Sequence, residues 1–187
     1  MSTPTGLPDQ VVFMRQVHGG AVAYVTAPGV RPEVDAVFTD QRGLALRVVV
    51  ADCAPVLITT AGMVGAAHSG RTGTVAGVVP ALVRAMAGRG ADVRGMTAWI
   101  GPNACGSCYE VPPQMRADVT AAVPHAWATT RHGTPSVDIR AGIVGQLTAL
   151  GVTDIQHDDR CTIESPQLWS YRRDRRSGGN YGFVWLD

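Results

Sequence analysis

Two histidines and one cysteine lie in short motifs beside glycine or at the edge of β-rich segments. His18 belongs to QVHG, Cys53 to ADC and His68 to AAHSG. Imidazole and thiolate ligands together suit zinc or copper, and three protein ligands leave a fourth position open for water or substrate. The three residues therefore predict a catalytic metal site rather than a structural one.

The spacing of His18, Cys53 and His68 matches none of the compact zinc signatures, such as paired CxxC units. Taken singly, a histidine near glycine is often structural or solvated. The alternative for Cys53 is a small buried hydrophobic residue. The metal site is favoured only because the three residues occur together with further motifs.

Those motifs follow one another along the chain. They are DAVFTD at residues 35–40, VVVADCAPVLI at 48–58, AAHSGRTGT at 66–74, IGPNACGSCYEV at 100–111, and SYRRD with GFVWL between 170 and 186. With QVHG they resemble the YfiH/laccase-domain family, also described as multicopper polyphenol oxidase and as purine nucleoside phosphorylase. The resemblance runs from Gln16 to the C-terminus. It implies an α+β fold, a layered α/β/β/α sandwich with a mixed β-sheet core, and a metal bound by His18, Cys53 and His68.

The chain departs from the family pattern at two places. Members usually carry a further segment before QVHG, whereas fifteen residues precede Gln16 here. Members also commonly read HAGWRG where this chain reads HSGRTG, so that Arg71 and Thr72 stand at the Trp and Arg positions. If that family arginine contacts an anion, Arg71 has to replace it from the neighbouring position.

Two aspartates belong to these motifs. Asp52 precedes Cys53, and we interpret it either as a catalytic-site carboxylate that orients a ligand histidine or as a solvated aspartate at a strand end. Asp35 opens DAVFTD and is interpreted as a residue that caps a turn.

Four further residues are candidates for substrate binding. Tyr109 and Glu110 lie in a family motif near the pocket, where Glu110 either transfers a proton or bonds the backbone. Arg172 and Arg173 form the densest charged segment, which is either a solvated loop or a bidentate ligand for substrate phosphate or ribose. The sequence does not distinguish these two arginines.

The CGSC segment contains Cys105 and Cys108. A redox or zinc-knuckle function is one interpretation, but no second pair and no thioredoxin-like context accompany it. We therefore expect a turn, because Gly101, Pro102 and Gly106 dominate the segment. Cys161 is predicted to be a buried thiol.

Composition bounds the class of protein. The 187 residues are 45% hydrophobic and 17% charged with a net charge of +1, which predicts one globular domain over residues 1–187. Such a charge gives no electrostatic case for nucleic acid or membrane partners. Residues 1–10 lack the features of a signal peptide, and no window approaches the roughly 18 apolar residues of a transmembrane helix. We expect a cytoplasmic protein, and its oligomeric state stays open.

Periodicity predicts β-strands first and helices later. Ala61 and Gly62 predict a tight hairpin turn, Pro80 predicts a kink or a late helix start, Asp138 predicts an N-cap, and residues 1–10 are expected to fray. The predicted strands are residues 11–14, 21–25, 36–39, 44–50, 56–60, 63–67, 97–100, 152–156 and 183–186, and the predicted helices lie within 75–88, 113–123 and 139–150.

Three functions remain open from the sequence. The first is a zinc-dependent purine nucleoside phosphorylase, with adenosine deamination as a second activity, as the family resemblance implies. The second is a copper-dependent polyphenol oxidase (laccase), although five histidines are few for several copper ions. The third is a non-catalytic nucleoside-binding protein that keeps the family fold. The partners expected from the first function are a purine nucleoside and phosphate.

Overall fold

The computed structural model describes residues 5–29, 32–176 and 178–187. Strands dominate the first half of the chain and helices alternate with short strands in the second. The strands are β1 (Gln10–Phe13), β2 (Val22–Tyr24), β3 (Ala36–Thr39), β4 (Leu44–Val50), β5 (Ala54–Thr60), β6 (Met63–Ser69), β7 (Thr97–Ile100), β8 (Trp127–Thr129), β9 (Pro135–Val137), β10 (Asp154–His157) and β11 (Asn180–Val184). The α-helices are α1 (Arg71–Val75), α2 (Val78–Gly88), α3 (Pro113–Ala122), α4 (Ile139–Ala149) and α5 (Tyr171–Asp174), and two 3₁₀ turns lie at Val93–Gly95 and Pro124–Ala126.

The strands form two mixed sheets and a separate hairpin. The larger sheet has the order β10-β7-β5-β6-β3-β2, the smaller sheet has the order β1-β4-β11, and β8 pairs with β9. Parallel pairs join β1 to β4, β2 to β3 and β7 to β10, whereas the other neighbours are antiparallel. The predicted α+β class with a mixed β-sheet core is confirmed.

The larger sheet is buried on both faces. Val56 and Ile58 of β5 belong to the core shared with α2 and α4, whereas Val64 and Ala66 of β6 belong to the core shared with the smaller sheet. Successive residues of a strand point to opposite faces, so a continuous apolar strand places side chains in both cores. Each fully buried aliphatic side chain contributes about 1.5–3 kcal/mol. These two cores fix the edge at which the candidate ligands lie.

Several local predictions are confirmed. Gly62 has a φ of 78° in the turn between β5 and β6, a conformation that glycine adopts without strain. Pro80 is the third residue of α2, where its missing N–H has no helical partner to lose, so it marks a late start. The Asp138 side chain accepts a hydrogen bond from the N–H of Ala141 at the start of α4.

Other local predictions are corrected. Gln10 pairs with Leu44 in the parallel β1–β4 ladder, so fraying of the whole segment 1–10 is wrong for Gln10, while residues 1–4 lie outside the described ranges. The hairpin of β8 and β9 was not predicted, because each strand has three residues and the second begins with Pro135. None of the helices in the described ranges has the length and apolar character needed to cross a bilayer.

Candidate metal centre

The three candidate ligands meet where the two sheets share an edge. His68 lies near the end of β6, two and four residues after Ala66 and Val64, which face the smaller sheet. Cys53 lies in the three-residue crossing from β4 to β5, and the register that pairs Ala54 with Ser69 places it beside Gly70. His18 lies in the loop that follows β1. The topology thus joins residues from three separate segments.

The donor atoms of His18, Cys53 and His68 all lie within 4.8 Å of one another. The two imidazole rings meet edge to face with centroids 4.6 Å apart. Zinc bonds of about 2.0–2.3 Å in a tetrahedral site would separate the donors by about 3.3–3.8 Å. The structure brings together the three residues that the sequence predicted as ligands.

Asp35 forms a hydrogen bond with His68, one of the candidate ligands. Its Oδ1 lies 2.8 Å from Nδ1 of His68, and both side chains are buried. Burial lowers the pKa of His68 more than the neighbouring carboxylate raises it. The ring is therefore neutral near pH 7, and with Nδ1–H on Asp35 its Nε2 lone pair is left for a metal.

The same carboxylate fixes the loop that carries His18. Asp35 accepts hydrogen bonds from the backbone N–H groups of Val17, His18 and Gly19 at 3.2, 2.9 and 2.7 Å. Burial alone would raise the pKa of Asp35, but the bonds from His68 and the three N–H groups lower it below its usual value. The predicted cap of a local turn is corrected, because the carboxylate of Asp35 instead binds the N–H groups of the distant His18 loop.

A side-chain amide ties the His18 loop to the smaller sheet. Nε2 of Gln16 donates to the carbonyl of Val49 at 2.7 Å, and the N–H of Val49 donates back to Oε1 at 2.9 Å. His18 itself has a φ of 62°, an uncommon conformation for a residue with a Cβ. Such backbone strain persists where surrounding contacts impose it, and here the contacts of Gln16 and Asp35 do so.

Asp52 binds residues beside the cleft and not a candidate metal ligand. Its carboxylate accepts hydrogen bonds from the hydroxyl of Thr162 and the N–H of Arg172, both at 2.7 Å. The sequence-based assignment of Asp52 as the residue that orients a ligand histidine is therefore corrected to Asp35. Asp52 has a φ of 88°, and its carboxylate binds the N–H of Arg172 in α5.

Burial raises the pKa of Cys53 to about 12, and the negative charges of Asp52 and Asp35 reinforce the shift. Without metal the side chain is a protonated thiol at neutral pH. A bound cation would have to displace that proton, so metal affinity should increase with pH. This environment does not suit an unassisted thiolate nucleophile.

A cleft of about 530 Å³ opens beside the three ligands. Its size lies within the range of small-molecule sites. The predicted substrate-binding residues Arg71, Tyr109 and Arg172 line it. Tyr171 lines it too and was not predicted; it is half-exposed, and its place at the start of α5 beside Arg172 was the available signal.

The two neighbouring arginines of α5 have different positions. The guanidinium of Arg172 lies 5.0 Å from the centre of the Tyr109 ring and donates to the carbonyl of Glu110 at 3.0 Å. The guanidinium of Arg173 bonds loop carbonyls, including that of Leu168 at 2.8 Å, together with Asp174. Arg173 is not among the cleft-lining residues and holds the preceding loop.

Glu110, like Arg173, is not among the residues that line the cleft. Its carboxylate accepts a hydrogen bond from the hydroxyl of Thr134 at 2.8 Å, and it is exposed. The predicted hydrogen bond from Glu110 to backbone is corrected, because its partner is the side-chain hydroxyl of Thr134. Proton transfer by Glu110 stays a prediction.

Gly70 is required by the geometry of the centre. A Cβ on this residue would lie 2.6 Å from Sγ of Cys53 and 3.4 Å from Cδ2 of His18. We expect Gly70→Ala to displace the thiol and lower zinc affinity roughly tenfold or more, since metal sites tolerate little displacement of a ligand. Gly88→Ala in α2 is the matched control, because its Cβ would meet open space. Equal zinc affinity of the two variants, measured by chelator competition, would refute this role.

A second group of candidate ligands lies outside the centre. The predicted turn at CGSC is confirmed by hydrogen bonds from the N–H groups of Cys108 and Tyr109 to the carbonyl of Cys105. Burial raises the pKa of Cys108 to about 12. Cys161 is buried as predicted, but it is not isolated. We define the cysteine cluster as Cys105, Cys108, Cys161 and Glu164, whose donor atoms lie within 4.8 Å of one another.

Two histidines and one cysteine that converge on an open cleft define a candidate metalloenzyme centre. The family described as multi-copper polyphenol oxidoreductase laccase matches residues 1–187. The chain belongs to this family, as the sequence motifs predicted. The laccase-like and YfiH descriptions apply to the same fold.

Individual proteins are similar to this chain over most of its length. A protein named purine nucleoside phosphorylase from Streptomyces griseus is 54% identical over 186 residues, which cover 96% of this chain and 76% of that protein. One of the same name from Streptomyces coelicolor is 55% identical over 185 residues, covering 96% and 76%. The crystal structure of YlmD from Geobacillus stearothermophilus matches with a TM-score of 0.88 at 30% identity, over 95% of this chain and 74% of that chain.

Proposed function

We propose that this protein is a zinc-dependent purine nucleoside phosphorylase. The observation that carries the proposal is the convergence of His18, Cys53 and His68 beside an open cleft. The names of the relatives support the reaction class. We also propose adenosine deamination as a second activity of the same cleft and a cytoplasmic location for the enzyme.

The donor set fits zinc. Two imidazoles and one thiolate are usual zinc ligands, and three of them leave one position open. The carboxylate of Asp35 fixes the tautomer of His68 as ligand histidines require. An ion held by His18, Cys53 and His68 would act as a Lewis acid toward a substrate oxygen.

Cationic side chains on the cleft wall would bind phosphate. Arg172 is held by the bond from its N–H to Asp52, which leaves guanidinium donors beyond the one on Glu110 for an anion. Arg71 lines the same cleft at the start of α1 and is the residue that replaces the family tryptophan. Guanidinium groups recognise phosphate through paired hydrogen bonds, so these two arginines would place the nucleophile.

Aromatic side chains would bind the purine. Tyr109 and Tyr171 line the same cleft, and stacking on an aromatic ring holds any purine without selecting its substituents. In the reaction a phosphate oxygen forms a bond to C1′ of the ribose while the bond from C1′ to N9 breaks. The purine leaves with the electron pair and takes up a proton. Holding both reactants in one cleft removes much of the entropic barrier.

Replacing Arg172 should separate phosphate binding from metal binding. We expect Arg172→Ala to raise the KM for phosphate at least tenfold, because a charge-assisted hydrogen bond contributes about 1.5–3 kcal/mol. Zinc content should not change, since Arg172 is not a ligand. Arg84→Ala on the exposed side of α2 is the matched control. An unchanged KM for phosphate would assign the anion to Arg71 or to another residue.

A nucleoside panel tests the proposed function. Zinc-loaded protein should release free base from adenosine, inosine, guanosine or methylthioadenosine, with products separated by liquid chromatography. Ammonia formed from adenosine would report deamination independently. Absence of base release from every nucleoside would refute the phosphorylase proposal and favour a non-catalytic nucleoside-binding protein.

Copper-dependent phenol oxidation is the second candidate, favoured by the description of the family. The donor set of the centre also suits copper. Among the described residues, however, the histidine-containing ligand group holds only His18 and His68 with Cys53. Rapid phenol oxidation by protein isolated with stoichiometric copper would reverse the order of the two candidates.

A further inference from the structure

The cysteine cluster lies outside the candidate metal centre and next to the cleft, since Ala104 and Tyr109, which flank the CGSC turn, line the cleft. Cys105 and Cys108 belong to the turn after β7, and Cys161 and Glu164 come from the loop after β10. A bridge between Asn103 and Cys161 joins the two loops, and the N–H of Thr162 donates to the carbonyl of Asn103 at 3.1 Å. The cluster is therefore built by backbone contacts between its loops.

We propose that the cysteine cluster binds one Zn²⁺ ion. Three sulfur atoms and one carboxylate oxygen give four donors, which is the coordination number of structural zinc. The donor atoms lie within 4.8 Å, and tetrahedral zinc with bonds of about 2.3 Å to sulfur needs about 3.8 Å between them. The spacing of Cys105 and Cys108 is that of a zinc knuckle. The missing pair comes from Cys161 and Glu164, more than fifty residues later in the sequence.

The hydrogen bonds around the cluster suit metal-bound thiolates. The N–H of Cys105 points at Sγ of Cys161 at 3.4 Å. One nitrogen of Arg131 lies 3.2 Å from Sγ of Cys108 and 2.6 Å from the carboxylate of Glu164. Outer donors of this kind stabilise ligand charge. Three thiolates and one carboxylate carry four negative charges, which Zn²⁺ and the guanidinium together reduce to one.

A dithiol redox centre is a poorer interpretation of the same residues. Exchange needs two thiols, whereas here a third thiol and a carboxylate share the space. Reactive CxxC motifs begin a helix that lowers the pKa of the first thiol. The CGSC segment is a turn, and the helix that follows begins later, at Pro113. Zinc binding displaces thiol protons to solvent and requires no oxidant.

A cation at the cluster would stabilise the substrate cleft. Tyr109 follows the turn directly and lines the cleft, and Thr162, next to Cys161, donates its hydroxyl to Asp52. Joining the two loops would therefore help to fix Tyr109 and Asp52, which both line the cleft. Zinc at the cysteine cluster would have a structural role, so its loss would be measured as a change in metal content and in stability rather than in phosphorolysis.

Zinc stoichiometry tests the proposal without reference to nucleosides. Purified full-length protein, freed of metal by chelator and kept reduced, would be titrated with Zn²⁺ and separately with Co²⁺. We expect two equivalents for the natural chain, one for the double variant C105S/C108S and one for Cys53→Ser. The sulfur-to-cobalt absorption should be about threefold stronger in Cys53→Ser, which keeps three thiolates, than in the double variant, which keeps one at the other centre.

Two further variants distinguish loss of a metal ligand from misfolding of the protein. Glu164→Gln removes an exposed ligand, and we expect it to keep the second equivalent while its zinc affinity falls roughly tenfold. Ser107→Ala, an exposed change in the same turn, is the control and should match the natural chain. A single equivalent in the natural chain, lost in Cys53→Ser, would overturn the proposal. So would an unchanged second equivalent in the double variant.

Discussion

Replacing Cys53 by alanine is expected to remove the catalytic zinc and with it the phosphorolysis of nucleosides. The substitution deletes one of three candidate ligands that line the cleft. A Lewis acid lowers a barrier by several kcal/mol, and each 1.4 kcal/mol is about tenfold in rate, so we expect kcat/KM to fall roughly 10³-fold. Activity and zinc content would be measured on the same preparation.

The fold should survive this change. Cys53 lies in the crossing between β4 and β5, whose neighbours Val50, Ala54 and Val56 remain buried. Losing one part-buried sulfur costs about 1 kcal/mol. Thr59→Ala on the exposed side of β5 is the control for unfolding. Retention of both zinc and activity in the Cys53 variant would show that the thiol is not a ligand.

Replacing Asp35 by asparagine should have the largest effect on stability. The aspartate accepts four hydrogen bonds, three from backbone N–H groups and one from His68. An amide offers one oxygen, so its NH₂ group must face N–H donors or force His68 into the wrong tautomer. An unsatisfied buried donor costs about 1–3 kcal/mol, and we expect a loss of roughly 3 kcal/mol and a Tm about 6–12 °C lower. Zinc affinity should fall roughly 10–100-fold.

The pH dependence of this effect has a definite sign. Hydrogen bonds lower the pKa of Asp35 in the folded protein below its usual value. Its contribution to stability is therefore complete above the ordinary aspartate pKa of about 3.9 and is lost as the pH falls through the lower folded value. The difference between natural protein and variant should be full at pH 7 and shrink at acidic pH. Asp118→Asn, exposed on α3, is the control, and equal Tm values for both variants at pH 7 would contradict the role of Asp35.

Much of the fold could be predicted from the sequence, because local signals determined it. The long strands β4 to β6 are continuous apolar runs, Gly62 marks their turn and Asp138 marks the start of α4. The hairpin of β8 and β9 was not predicted, because strands of three residues are too short to show an alternation of apolar and polar residues. Its formation depends on tertiary contacts, such as that of Ser136 with the carbonyl of Gly106.

The candidate ligand set could be predicted because its motifs are distinctive, whereas the residue that orients His68 could not. Asp52 is the candidate for that role in the sequence, and only the antiparallel register of β3 and β6 places Asp35 beside His68. Arg172 and Arg173 differ because α5 turns one toward Tyr109 and the other toward loop carbonyls. The cysteine cluster was missed because its second pair lies far away along the chain.

The most direct test of the central claim is the product stoichiometry of zinc-loaded protein acting on inosine with and without inorganic phosphate. The proposed function predicts equal amounts of hypoxanthine and ribose 1-phosphate, formed only when phosphate is present and lost in the Cys53→Ala variant. Hypoxanthine released at the same rate without phosphate, or release that persists in the variant, would contradict it.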